Sequence, residues 1–416
     1  MEKRNVPKLR FKGFECEWKE YKLGDFLDFY TTNSLSRDCL NNDNGKVKNI
    51  HYGDIHMKFP TVLDIQKNQI PFINDDIDIS KIKEESFCKN SDLIFADASE
   101  DYDDIGKAIE LRNICNSKIV AGLHTILARD NKGITASGFK GFMLLNESVR
   151  KQIKILAAGA KVLGISKTNL SKVKVKLPSL EEQSKIANFL SNVDNIIEEQ
   201  EGKVKDLEQY KKGMMQKIFK QEVRFRDENG GEYPEWEEKF AGDMFYNISD
   251  KNHNGKLEVL SVTQDKGVIL RKDLDIDIKF DLESVKNYKK VKAGDFIISL
   301  RSFQGGFELS NIEGIVSPAY TVFNFKEEKN NYKYFHYIFK SELFIRKLSA
   351  LIYGIRDGKA ISFNDFRTMK LKYPCLEEQT KIANFLSNID NIIEKENKKL
   401  EDLKLWKKGL LQQMFV

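Results

Sequence analysis

Residues 178–197 read PSLEEQSKIANFLSNVDNII, and residues 374–393 read PCLEEQTKIANFLSNIDNII. The second copy follows the first by 196 residues, and the two differ only at Ser179/Cys375, Ser184/Thr380 and Val193/Ile389. The match continues more loosely, with YKKGMMQ at 210–216 answering WKKGLLQ at 406–412. Each copy spans about forty residues without an internal proline, so the chain must fold as a duplicated frame built on two long helices.

Apolar residues recur every three and four positions in both copies. The first seam is Leu190, Val193, Ile197, Val204, Leu207, Met214 and Ile218; the second is Leu386, Ile389, Ile393, Leu400, Leu403, Leu410 and Met414. This is a heptad seam, and at 1.5 Å per residue such a helix is roughly 57 Å long. Two polar residues interrupt each seam: Gln200 and Lys211, then Glu396 and Lys407. A parallel in-register pair would bury Lys211 against Lys407, a repulsion that costs several kcal/mol with desolvation. An antiparallel pair instead sets Lys211 against Glu396 and Gln200 against Lys407. It also matches Val193 with Met414, Ile197 with Leu410 and Val204 with Leu403. The seams therefore predict an antiparallel intramolecular coiled coil. Ser179 with Glu182 reads as a capping box, and Cys375 in the second copy is a weaker cap.

The rest of the chain repeats around these helices. Trp18 is followed by Gly24-Asp25, and Trp236 by Gly242-Asp243 at the same spacing; upstream, Leu9-Arg10-Phe11 resembles Val223-Arg224-Phe225. The expected organisation is a leader at 1–17, a globular part at 18–177, a long helix at 178–219, a linker repeating the leader at 220–235, a second globular part at 236–373 and a second long helix at 374–416. The leader is expected to pack near the end of the second helix. β-type runs at 47–52, 93–96, 118–120, 125–128 and 173–177, then at 257–262, 267–270, 295–300, 319–325 and 369–373, with helices at 148–157 and 332–350, make each globular part α+β. The two parts agree at their edges (Ser91-Asp92-Leu93-Ile94 with Gly294-Asp295-Phe296-Ile297) and diverge in their middles.

Composition narrows the function by exclusion. There is no apolar run near 18 residues and no apolar signal region at the start. Five cysteines, at 16, 39, 88, 115 and 375, form no CxxC pair and read as reduced thiols of a cytoplasmic protein. The 68 Lys and Arg are nearly balanced by 63 Asp and Glu, so only a local basic face would bind nucleic acid. No phosphate-binding loop, dinucleotide fingerprint or amino-methyltransferase tetrapeptide is present; Gly354 to Lys359 only echoes the first and reads as a turn. His51 and His56 lack a third metal ligand. The acidic run at 97–104 reads as a solvated loop, with a cation site, or cytosine recognition by Asp97 or Glu100, as alternatives. No residue is assigned a catalytic or metal-binding role.

Loops that mix cations, amides, hydroxyls and aromatics are the candidates for DNA contact. In the first part these are Lys46, Lys48, Asn49, His51 and Tyr52. In the second they are Thr263, Gln264, Lys266, Arg271, Lys272, Arg301, Ser302, Gln304 and Arg356. Arginine reads guanine with two hydrogen bonds, amides read adenine and lysine holds phosphate. Each residue has the alternative of an ordinary loop or core role.

With its two LEEQ-x-KIA-x-FLSN-x-D-x-I-I segments, its two Trp-x5-Gly-Asp openings and its two unlike middles, the whole chain resembles the specificity subunit of a type I restriction–modification system. The resemblance implies a non-catalytic subunit whose two target-recognition domains, held by antiparallel conserved helices, each read half of a bipartite double-stranded DNA site. It also implies two modification subunits that use S-adenosylmethionine to methylate adenine at N6, and two restriction subunits, working with ATP and Mg, that can join. No cofactor is expected in this chain itself. The helices would act as a ruler for the gap between half-sites, and Ile186, Phe189 and Ile196, repeated as Ile382, Phe385 and Ile392, would either pack on the chain's own domains or dock modification subunits. A coiled-coil scaffold that reads no DNA would share the helices but not need two divergent middles; a self-contained enzyme would need a motif that is absent.

Overall fold

The computed structural model describes residues 5–263, 266–274, 284–299, 306–352 and 361–416. It divides into two compact units: residues 1–201 with 399–416, and residues 202–398. The two long helices, Leu180–Phe219 and Leu376–Met414, are each shared between the units, and the globular parts 18–177 and 236–373 fall one in each. No helix among the described residues is long and apolar enough to cross a membrane.

In the first unit a five-stranded sheet runs in the order Leu27–Tyr30, Thr125–Asp130, Leu93–Ala96, Ala108–Arg112, Val62–Asp64. The first four strands are antiparallel and the last is parallel to its neighbour. Side chains alternate across this sheet, as strand geometry requires. Leu93, Phe95, Ile126 and Ala128 enter one core, and Ile94, Ala96 and Leu127 enter another. The first core is closed by the helices Phe139–Leu144 and Glu147–Leu156, by Ile186, Leu190 and Val193 of the first long helix, and by Leu410, Met414 and Phe415. The second core is closed by the short helix Tyr52–Met57.

In the second unit the strands Phe245–Ile248, Thr321–Phe325, Phe296–Ile298 and Phe307–Leu309 form an antiparallel sheet in that order, matching the first four strands of the other sheet. Its core is dominated by phenylalanine: Phe245, Phe296, Phe307, Phe323, Phe339 and Phe366 are all buried with Ile382, Leu386 and Ile389 of the second long helix. The stretch expected to be one helix at 332–350 is two, Tyr332–Lys340 and Glu342–Ile352, because Ser341 takes an extended conformation between them.

The sequence repeats acquire physical meaning here. In each unit the chain enters and leaves the globular part as a two-stranded ribbon, Lys19–Lys22 with Lys174–Leu177 and Glu237–Phe240 with Lys370–Tyr373. Gly24 donates its N–H to the Ser171 carbonyl, and a Cβ there would lie 2.7 Å from Ser171 Cβ. Gly242 stands in the same way against Arg367, which explains why glycine occupies this position in both openings. The Glu-Gln pair of each LEEQ is buried and fastens helix to globular part. Gln183 bonds the Ile134 carbonyl and the Ala136 N–H; Gln379 accepts from the Asn331 N–H. Glu182 accepts from Arg10, and Glu378 from Arg224 and from the Trp236 indole. The expected capping box at Ser179 is therefore half present: Ser179 Oγ accepts the Glu182 N–H at 3.3 Å, but the Glu182 carboxylate is engaged by Arg10.

The long helices pack antiparallel within each unit. Leu190, Val193, Ile197 and Val204 are buried, as are Leu386, Ile389, Leu410 and Met414; Leu207, Met214, Ile393, Leu400 and Leu403 are half-buried. The charged partners differ from the expected layers. Lys407 pairs with Asp194 in the first unit and Lys211 with Asp390 in the second, both at 2.5 Å, while Glu396 receives Lys203 at 2.7 Å. The buried Gln200 keeps its place on the seam. The orientation is the one predicted, but Lys211 and Lys407 reach aspartates flanking the seam, where their ammonium groups stay closer to water. Lys407 also lies over the Phe142 ring and Lys211 over the Tyr337 ring. At the far end of the second helix, Leu9 donates its N–H to the Gln413 carbonyl at 2.9 Å, so the leader does pack there.

Candidate nucleic-acid interface

The sequence candidates of the first unit separate into surface and interior. Lys46 is exposed; Lys48, on the strand Lys48–Ile50, is half-buried with its ammonium over the Phe72 ring. Asn49 is fully buried: its N–H donates to the Pro71 carbonyl and its Oδ1 accepts from Asn33. It stands so close to Gly122 that a Cβ there would lie 2.7 Å from Asn49 Oδ1. The Asn49 Nδ2 is buried without a hydrogen-bond partner, and the whole side chain lies in the interior rather than on the surface. His51 is also buried. The run expected to be one strand over 47–52 breaks at it, because its Nδ1 accepts the Gly53 N–H at 3.1 Å and caps the helix Tyr52–Met57. Burial holds the His51 imidazole below its ordinary pKa, with the Arg37 guanidinium adding to the effect. Tyr52 is half-buried, its ring 4.6 Å from that of His51 and edge-on to His124 at 5.3 Å.

Sequence reasoning missed Arg37. Its Nη1 donates to Asp54 at 2.7 Å, and its Nη2 lies 3.4 Å from His51 Nδ1. Asp54 is 1% exposed whereas the arginine side chain is 46% exposed. Sequence carried one faint signal, an arginine inside the polar run TTNSLSRD at 31–38; its carboxylate partner lies seventeen residues away on a different element.

In the second unit Thr263 and Lys266 flank the turn of the hairpin formed by Leu260–Thr263 and Gly267–Leu270; Thr263 Oγ1 accepts the Lys266 N–H. Lys266 is exposed. Arg271 donates to Ser261 Oγ at 3.3 Å, and Lys272 forms an exposed pair with Glu258 at 2.7 Å. These four are brought to one hairpin and its exit. Gln264, Arg301, Ser302, Gln304 and Arg356 lie outside the described residues, as does the turn expected over 354–359.

The acidic run at 97–104 is tied to the protein. Asp97 pairs with His124 at 3.4 Å, and Asp104 with His56 at 3.7 Å; burial raises the Asp97 pKa against the opposing effect of His124. Among the described residues no three His, Cys, Asp or Glu side chains are grouped to hold a metal ion.

Comparison with known proteins agrees with this geometry. A family model described as the type I restriction modification DNA specificity domain matches residues 15–209 and again 227–405. The type I restriction enzyme MjaVIII specificity subunit of Methanocaldococcus jannaschii is 30% identical over 281 residues, covering 62% of this chain and 65% of the relative. A putative type I restriction enzyme MjaX specificity subunit of the same organism is 28% identical over 310 residues, covering 70% of each. The match thus spans just under two thirds of the first relative's length. Two solved structures share the fold across nearly the full length. One is a type I restriction–modification S subunit from M. genitalium, with a TM-score of 0.57, 15% identity and 99% of each chain covered. The other comes from work on complex assembly and conformational transition of the type I R-M system, with a TM-score of 0.54, 14% identity, and 97% and 98% covered. The duplicated frame, its antiparallel helices and the twofold family match together place this chain in the type I restriction–modification DNA specificity family.

Proposed function

We propose that this chain is the non-catalytic, DNA-reading subunit of a cytoplasmic restriction–modification complex. Each globular part reads one half of a bipartite double-stranded site, and helix length sets the gap between the halves. One observation carries the reading: the same sheet, ribbon and helix anchors occur twice, yet the residues hung on them differ, a phenylalanine-rich core in one unit and an additional four-stranded sheet in the other. A repeated mount with different contents suits two different half-sites.

The partners are two modification subunits, one on each unit, which would supply S-adenosylmethionine chemistry at adenine N6; restriction subunits with ATP and Mg would join them. Of the off-seam residues expected either to pack or to dock, Ile186 and Ile382 are buried in their own units, and Phe189 and Phe385 stack edge-on with Phe11 and Phe225. Ile196 and Ile392 remain 45% and 47% exposed. Equivalent apolar residues are exposed in both units, Leu180, Ile196 and Trp406 in one and Leu376, Ile392 and Tyr210 in the other, a repetition that suits one partner per unit.

The test is methylated-base sequencing of DNA from cells producing this chain with a cognate modification subunit. The expected result is a bipartite N6-methyladenine motif that disappears without this chain. A formed complex that leaves no motif would favour a scaffold that reads no DNA.

A further inference from the structure

The arginines of the first unit are not equally available. Arg10 is spent on Glu182 and the Cys16 carbonyl. Arg129 is 7% exposed and committed to Asp92 and two main-chain carbonyls. Arg150 donates to the carbonyls of Asp103, Ile105 and Gly106. Arg112 lines a groove against the first long helix, beside Asp194 and Glu198. Arg37 differs: its Nη1 is held by a carboxylate that is itself buried, its Nη2 lies beside His51, and nearly half of the side chain faces water.

That arrangement prepares an arginine for recognition. Asp54, also within 3.2 Å of Lys58 Nζ, is too deep to contact a ligand and acts as a buttress. His51 Nδ1 already accepts the Gly53 N–H, so the Arg37 Nη2 lying 3.4 Å from it keeps donor capacity. A guanidinium has five N–H donors in a fixed fork. The contacts to Asp54 and His51 engage at most two of these donors, so donors are left over, and the held, half-exposed side chain is relieved of part of the rotamer entropy that a loose arginine loses on binding. The partner that fits a planar two-donor edge in the DNA major groove is the O6/N7 edge of guanine. The exposed Lys46 belongs to the same unit and supplies charge for phosphate.

We infer that Arg37, positioned by Asp54, reads a guanine in the half-site of the first globular part. This rests on the DNA-reading function proposed above. The experiment compares wild type with Arg37→Ala and Arg37→Lys, each co-produced with the modification subunit. Methylomes are recorded, and the purified complexes are titrated against duplexes carrying 7-deazaguanine, which lacks the N7 acceptor, at each guanine of the motif in turn.

In wild type, one guanine of one half-site is expected to show a 7-deazaguanine penalty of several-fold. In Arg37→Ala that penalty disappears, discrimination at that position falls about 10- to 100-fold, and the other half-site is read unchanged; Arg37→Lys, whose ammonium still donates to N7 but lacks the planar fork, keeps a reduced penalty. A wild-type complex indifferent to 7-deazaguanine everywhere overturns the inference, as does a penalty that survives intact in Arg37→Ala. If Arg37→Ala fails to fold, Arg37→Met, which keeps the bulk of the stem but has no donor, and the wild-type scan decide. A wild-type chain that yields no motif at all sinks the broader function; a normal wild-type motif left unaltered by both variants sinks only the role of Arg37.

Discussion

Arg10 lays its guanidinium across both carboxylate oxygens of Glu182, with Nε at 2.8 Å and Nη2 at 2.9 Å. Arg224 repeats the contact on Glu378 at 3.3 and 3.0 Å. Both glutamates are essentially without solvent exposure. The leader and the linker, which look like unstructured polar stretches in sequence, are thereby pinned to the first turns of the two long helices. Truncating Arg10 to alanine leaves a buried carboxylate alone, and should cost roughly 3 kcal/mol, measured as a shift of the urea midpoint. Glu378 also accepts from the Trp236 indole at 2.8 Å, whereas the Trp18 indole nitrogen is buried without a partner. Glu378→Ala should therefore destabilise more than Glu182→Ala.

The ion pairs across the long helices can be tested by charge exchange. Lys407→Glu places a carboxylate against Asp194, whose pKa burial already raises. The expected loss is about 1–2 kcal/mol for these partly exposed groups, read from thermal or urea unfolding. Combining it with Asp194→Lys should recover most of the loss. A double variant no better than the single one would mean that these charges do not meet.

His336 makes stability depend on pH. Its Nδ1 is buried without a partner, and burial, reinforced by Lys340 and Lys211 and opposed by Asp390, holds its pKa down at about 4. Between about pH 6.5 and 4 the unfolded chain binds the proton that the folded chain refuses, so this contribution is fully present above pH 6.5 and is lost as pH falls through that window. The size is on the order of 3 kcal/mol. A His336→Phe variant should show a shallower fall in urea midpoint between pH 7 and 4.5 than the wild type.

Asn49 separates scaffold from reader. Because it is fully buried, Asn49→Ala should lower stability by about 1–3 kcal/mol and leave the methylated motif of surviving protein unchanged. A changed base preference at normal stability would contradict the burial.

The exposed Lys46 and Lys266 are expected to hold phosphate. Replacing either with alanine should weaken binding to all sequences alike and reduce the slope of log affinity against log salt by about one. A change confined to one base position would instead make that lysine a reader.

Much of the frame is legible in the sequence. The 196-residue repeat, the heptad seams and the like-charge cost of a parallel pairing were enough for two antiparallel helices. The spacing from Trp18 to Gly24 and from Trp236 to Gly242 marked the openings that close contact with Ser171 and Arg367 explains. Less legible were the partners of Lys211 and Lys407. A heptad wheel names the facing layer, but a lysine's four-carbon stem lets its ammonium leave that layer for Asp390 or Asp194 at its edge.

By itself, then, the sequence determined what depends on neighbours along the chain: helix periodicity, orientation and the duplication. Tertiary structure alone decided which polar loop residues face water. Asn49 and Tyr52 are three residues apart in one stretch of similar composition, yet the first is sealed by Pro71, Gly122 and Asn33 from distant segments and the second is not. Arg37 is a reader's side chain only because Asp54 arrives beneath it from another element. Burial and buttressing come from long-range pairing, and local composition carries no record of it.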